Sequence, residues 1–235
     1  MNAKKLSFLL LILVAVACTN RSTSSEQDEM RHWNNVLQQI NALLLENKAR
    51  QTLDLAKQTL PEILESAEKN GTTDTLIYYA RKIFNACGNN YINTKQYKDG
   101  IDYMDSIGNH PLIREHCPHE LLSFKAGLNQ LYGNNPEAVR LAEDYLQLPV
   151  CTSANDFIRQ AEIISGVYMY SGNNLPKAIQ ILEKAIDVYR KGGNFPNMLR
   201  IMSRLGIYYH LSGEYEKAIA TNQEAIATYN DSIAP

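Results

Sequence analysis

Residues 172–185 read GNNLPKAIQILEKA, and residues 212–225 read SGEYEKAIATNQEA. Set 40 apart, the two stretches share a small polar turn, a Lys-Ala-Ile run at Lys177–Ile179 and Lys217–Ile219, and a second alanine at Ala185 and Ala225. A third copy lies 40 residues upstream, GNNPEAVRLAEDY at 133–145, with Ala138, Val139 and Tyr145 in the same places. Before each turn runs an apolar stretch at helical spacing, such as Met202, Leu205, Gly206 and Tyr209. A period of this length joins two amphipathic helices through a turn. One such unit cannot bury its apolar face alone, so the copies must stack.

The pattern extends upstream. Phe84, Cys87, Gly88, Tyr91, Tyr97, Gly100 and Ile107 fill the same frame, as do Trp33, Val36, Leu37, Ile40, Ala49, Leu53, Ala56 and Pro61, with Leu37 in a place meant for a small residue. Small residues are needed where two helices cross closely. This pattern resembles the tetratricopeptide repeat, a helix–turn–helix hairpin. The resemblance implies an all-α chain, a right-handed α-solenoid of about five such hairpins over residues 29–235, the last ending near residue 232.

Proline and glycine punctuate the frame. Asn135-Pro136 reads as an N-cap followed by a first-turn proline, and Cys117-Pro118 as the opening of another helix. Asn70-Gly71 and Gly192-Gly193 read as helix ends. Pro61 stands inside an apolar pattern that continues to Lys69, which predicts a kink or a break. The distance from Ala49 to Gly100 is 51 rather than 40 residues, so an insert separates the first two hairpins. No polar capping helix precedes Pro235, which suggests truncation or a partner covering that end.

The N-terminus reads as an address. Lys4 and Lys5 precede ten apolar residues from Phe8 to Ala17. A bilayer-spanning helix needs about 20, so residues 1–17 read as a signal peptide. Ala15-Val16-Ala17-Cys18 resembles the lipobox of bacterial lipoproteins, which implies a lipid on Cys18 and anchorage in the cell envelope. By the same resemblance, Thr19 and Asn20, with no Asp beside them, favour the outer membrane facing the periplasm. Residues 18–28 are small and polar and read as a flexible tether.

Composition narrows the function. Lys and Arg number 23 against 25 Asp and Glu, so no basic excess points to nucleic acid. At 45% hydrophobic residues the chain has enough apolar material for a core. No phosphate loop, nucleophile elbow or His-Glu-x-x-His motif is present, so neither a cofactor nor an enzyme activity is expected. His110, His116, Cys117 and His119 form the one dense group of possible metal ligands, but Pro118 interrupts it and the spacing fits no zinc pattern. Cys87 reads as core. Cys117 and Cys151 stand at successive junctions, where a bridge would need Cα atoms within about 7 Å. The tyrosines, among them Tyr91, Tyr168, Tyr189, Tyr209 and Tyr229, read mainly as core.

In the family, the first helix of each hairpin lines a concave face. The resemblance therefore places Lys82, Asn85, Asn89, Glu120, Gln130, Arg159, Glu162, Tyr170, Arg200 and His210 in the groove, and Lys82, Asn85 and Asn89 are similar to the clamp with which some such domains hold a peptide carboxylate. The expected function is a lipid-anchored scaffold that binds a protein or peptide partner. Three other readings stay open: a sensory input domain of an envelope signalling system, a nutrient-binding lipoprotein, and a metal-dependent activity at the His/Cys loop.

Overall fold

The computed structural model describes residues 24–149, 154–192 and 195–232. Among them are eleven helices and no strand. In chain order they are α1 (Ser24–Leu45), α2 (Ala49–Asn70), α3 (Asp74–Asn93), α4 (Tyr97–Ile107), α5 (Pro111–His116), α6 (Pro118–Tyr132), α7 (Asn135–Gln147), α8 (Ala154–Tyr170), α9 (Leu175–Gly192), α10 (Phe195–Leu211) and α11 (Tyr215–Ser232). The hairpins are α1/α2, α3/α4, α6/α7, α8/α9 and α10/α11, with the six-residue α5 wedged between the second and third. They stack as a right-handed α-solenoid.

All five hairpin turns solve the reversal in one way. Each holds a residue at positive φ: Asn47 at 56°, Lys95 at 58°, Gly133 at 96°, Asn173 at 43° and Gly213 at 82°. Glycine and asparagine tolerate this region best, so the lysine is the strained member. The stacking buries two apolar clusters that meet at α6. One runs from Trp33 through Leu60, Phe84 and Tyr91 to Phe124 and Leu128. The other runs from Ala126 through Tyr168, Ala178 and Leu182 to Met202 and Ala218. Cys87 is fully buried, as its place in the frame predicts.

Several expectations are corrected. Of the kink or break expected at Pro61, the break does not occur: α2 runs on to Asn70. A proline inside a helix costs about 3 kcal/mol or more, but Leu60, Ile63 and Leu64 are buried around it and hold the helix together, while Pro61 itself is exposed. The insert is helix as well: it lengthens α2 past Pro61 and starts α3 at Asp74, ten residues before Phe84, the first of the frame residues in that helix. Asn135 is the first residue of α7, not its cap. Asn134 takes that place, without a side-chain capping bond. Tyr229 is half exposed rather than core. The first helix begins at Ser24, inside the stretch whose composition suggests a tether. The signal peptide, Cys18, Cys151, Gly193 and Pro235 lie outside the described residues.

Candidate functional site: the face lined by the first helices

The first helices, α1, α3, α6, α8 and α10, form the inner layer of the stack. Among the described residues, two of the cavities open between neighbouring members of this layer.

The first, of about 360 Å³, lies between α1 and α3. Its apolar side is Leu37, Ile40 and Leu44, and its polar side brings together Lys82, Asn85, Asn89 and Asn90. Lys82 Nζ stands 5.7 Å from the centre of the Tyr78 ring, which is half exposed at the rim. Asn90 is fully buried. Its amide donates to the Ala86 carbonyl at 2.8 Å, while its Oδ1 has no hydrogen-bond partner among the described residues. A buried acceptor left without a donor is costly. The cavity thus offers an ammonium and amide donors beside an acceptor, which suits the mixed polarity of a peptide. Nothing in the local sequence around Asn90 marked it, because its burial depends on α1.

The second, of about 220 Å³, is lined by Ile92 of α3, Gly127, Gln130 and Leu131 of α6, Glu162, Ile163, Gly166 and Tyr170 of α8, and Arg204 of α10. Gln130, Glu162 and Tyr170 thus line one cavity. Tyr170 is 68% exposed, high for a large aromatic side chain.

Two acidic residues are not solvated groove residues. Glu120 and Glu162 are only 2% and 3% exposed, and burying carboxylates requires pairing. Glu120 meets Arg81 Nε at 3.2 Å, and the same guanidinium donates to the His116 carbonyl at 2.5 Å. Glu162 meets Arg200 Nε at 2.8 Å, and Arg204 donates to the Glu162 carbonyl at 3.0 Å. Arg200 is thus already engaged with a carboxylate of its own chain. A visible signal is the recurrence Glu120-x-x-Ser123 and Glu162-x-x-Ser165, in which each serine hydroxyl donates to the glutamate carbonyl at 3.0 Å.

The other groove candidates lie apart. His210 lines neither cavity. It is exposed at the turn between α10 and α11, with its ring 5.4 Å from that of Tyr215. Arg159 belongs to α8, and its side chain falls outside the described residues.

The histidine group is pulled in different directions. His110 caps α5 by accepting from the Leu112 N–H at 3.2 Å, and its other nitrogen is 3.2 Å from Glu68. His119 Nε2 is 2.7 Å from the Pro149 carbonyl, with its ring against Tyr145. Cys117 is fully buried. Among the described residues, no group of three or more His, Cys, Asp or Glu is placed to hold a metal ion.

The tetratricopeptide repeat family matches residues 161–231. None of the curated proteins is detectably similar to the chain. Among solved structures, a Podosopora anserina protein assigned as a kinesin light chain with nearly identical TPR-like repeats is 12% identical, with 88% of this chain and 99% of that one covered at a TM-score of 0.53. MamA of RS-1, as an ArsTM double mutant, is 15% identical, with 88% and 98% covered at a TM-score of 0.50. Likeness at this level of identity is a likeness of fold. The chain is an all-α solenoid of tetratricopeptide-like hairpins, and its residues 161–231 carry the repeat family's own sequence pattern.

Proposed function

We propose that this protein is a non-enzymatic scaffold that holds an extended segment of a protein partner along its concave face, anchored to an envelope membrane through lipid on Cys18. The observation that carries the binding reading is the gathering of Lys82, Asn85 and Asn89 on one cavity with Asn90, whose Oδ1 has no partner among the described residues. Donors for carboxylate or carbonyl oxygens and an acceptor for an N–H then stand over an apolar floor. The repeat pattern supports a peptide or protein as the ligand class, since stacked hairpins present long grooves.

The anchor rests on the sequence. Lys4-Lys5, the apolar run and Ala15-Val16-Ala17-Cys18 resemble a lipoprotein signal, and Thr19-Asn20 favour the outer membrane's periplasmic leaflet. Among the described residues, no helix is long and apolar enough to cross a membrane.

The test is photo-crosslinking in intact cells from position 85, with position 191 on the second-helix side as control. The expected result is capture of a defined partner from position 85 and not from 191. Lys82→Ala with Asn85→Ala is expected to weaken capture by about tenfold or more, roughly 1.4 kcal/mol. Equal capture from both positions, unchanged by that pair of substitutions, puts the binding surface elsewhere.

A further inference from the structure

The inner helices are keyed together by a repeated contact. Gly88 of α3 receives the ring of Phe124 from α6, so close that a Cβ on Gly88 would stand 2.4 Å from it. Gly127 of α6 receives Ile163 of α8 in the same way, at 2.6 Å. Phe124 and Ile163 each stand three residues before the glycine of their own helix, Gly127 and Gly166. By that register the next key is Ser203, three residues before Gly206 on α10.

Ser203 does not fill the third hole. Its side chain is exposed, and a Cβ built on Gly166 meets nothing within 4 Å except Gln130 Oε1, at 3.8 Å. The space left belongs to the cavity of about 220 Å³ lined by Gly127, Gln130, Ile163, Gly166, Tyr170 and Arg204. The one carboxylate among its described lining residues, Glu162, is turned to Arg200.

We infer that the Gly166 cavity is a subsite for one apolar side chain of a bound peptide, with the ligand supplying the key that Ser203 does not. This rests on the groove reading above and adds the chemistry of the anchor residue. Two observations choose the occupant. The equivalent holes are filled by an aromatic and an aliphatic side chain. The volume also exceeds the roughly 150 Å³ that admits a benzene ring in an apolar protein cavity. Arg204 and Gln130 beside it carry N–H donors for the backbone carbonyls of an extended chain, and Tyr170 at the mouth offers a face for the neighbouring residue.

The protein is panned against a random heptapeptide display library, and the selected peptides are measured on wild type, Ser203→Ile and Gly166→Leu. Ser203→Ile puts an isoleucine at the register position that Ile163 holds one repeat earlier, three residues before the glycine of its helix, and Gly166→Leu fills the hole from its floor. In parallel, N-acetyl-phenylalanine amide is titrated while the methyl resonances of Ile163 are followed. The expected result is peptides sharing one aliphatic or aromatic position, about tenfold weaker binding to either variant at an unchanged or higher melting temperature, and a saturable shift of Ile163. If one variant fails to fold, the other decides.

Peptides that lack an apolar position, or that bind both variants as tightly as wild type, overturn the subsite. If Lys82→Ala still weakens those peptides, the groove reading survives alone. No selected peptide and no Ile163 shift overturns both. A dimer in sedimentation that Ser203→Ile dissociates makes a second copy the occupant and overturns the peptide assignment.

Discussion

The ring of Phe124 occupies the place where a side chain on Gly88 would begin, so α3 and α6 meet at a point that only glycine allows. Gly127 and Ile163 repeat the relationship between α6 and α8. Gly88→Ala and Gly127→Ala are each expected to destabilise the fold by about 1–3 kcal/mol, the usual cost of overpacking. Gly166→Ala should be neutral or stabilising by up to about 1 kcal/mol, because alanine is the better helix former and has room there. Urea unfolding midpoints check this. Equal loss at all three sites would contradict the keyed packing.

Lys95 performs with a φ of 58° what Gly133 and Gly213 perform in the equivalent turns. A non-glycine residue in that region costs about 1–2 kcal/mol. Lys95 is exposed, so Lys95→Gly should raise stability by roughly 1 kcal/mol. Gly213→Ala should lower it by a similar amount. Thermal melts of the two variants, read side by side, settle the sign.

Glu162 is buried against a half-exposed Arg200. Arg200→Ala leaves that carboxylate short of a charge partner and is expected to cost about 1–3 kcal/mol. In a double-mutant cycle with Glu162→Gln, the pair should show a clear coupling energy. The same cycle on the exposed Lys98 and Asp102, which also form an ion pair, should show none that is measurable. A null result for Arg200 and Glu162 would mean that other bonds carry the burial of the carboxylate.

Burial pushes the Cys87 thiol up to about 12, opposed by a hydrogen bond with Tyr103 and the charge of Lys57. In the unfolded chain a thiol titrates near 8.5. As pH rises from 8 to 10, the unfolded state therefore loses a proton that the folded state keeps, and stability falls with pH. The contribution amounts to about 2 kcal/mol over that interval. Denaturation under reducing conditions at both pH values should show a smaller decline for Cys87→Ala than for wild type. Parallel declines would exclude this thiol as the source.

Cys18→Ala is expected to release the protein from membranes while leaving its helical circular dichroism unchanged. The measurement is fractionation of cells followed by a high-salt wash. Protein that stays in the membrane pellet after the wash would remove the lipid from the proposal.

The sequence by itself determined the hairpin period, the core faces and the crossing points. Trp33, Val36, Ile40, Phe84 and Tyr91 are buried as their spacing requires, and Ala178 and Ala218 sit at buried crossings. These features are legible because helical periodicity and turn chemistry are local, written within one hairpin. Lys82, Asn85 and Asn89 could be gathered on one face for the same reason, since they share a helix. The tertiary structure alone decided that α2 would run through Pro61, because its continuity depends on side chains packed around it. It also turned Glu120 and Glu162 inward on arginines of other hairpins, left Asn90 Oδ1 without a donor among the described residues, and left the hole at Gly166 open. Whether a side chain is buried, paired or left facing a void is set by the residue that the next hairpin presents. In a solenoid that residue stands some 40 positions away, outside the reach of any local pattern.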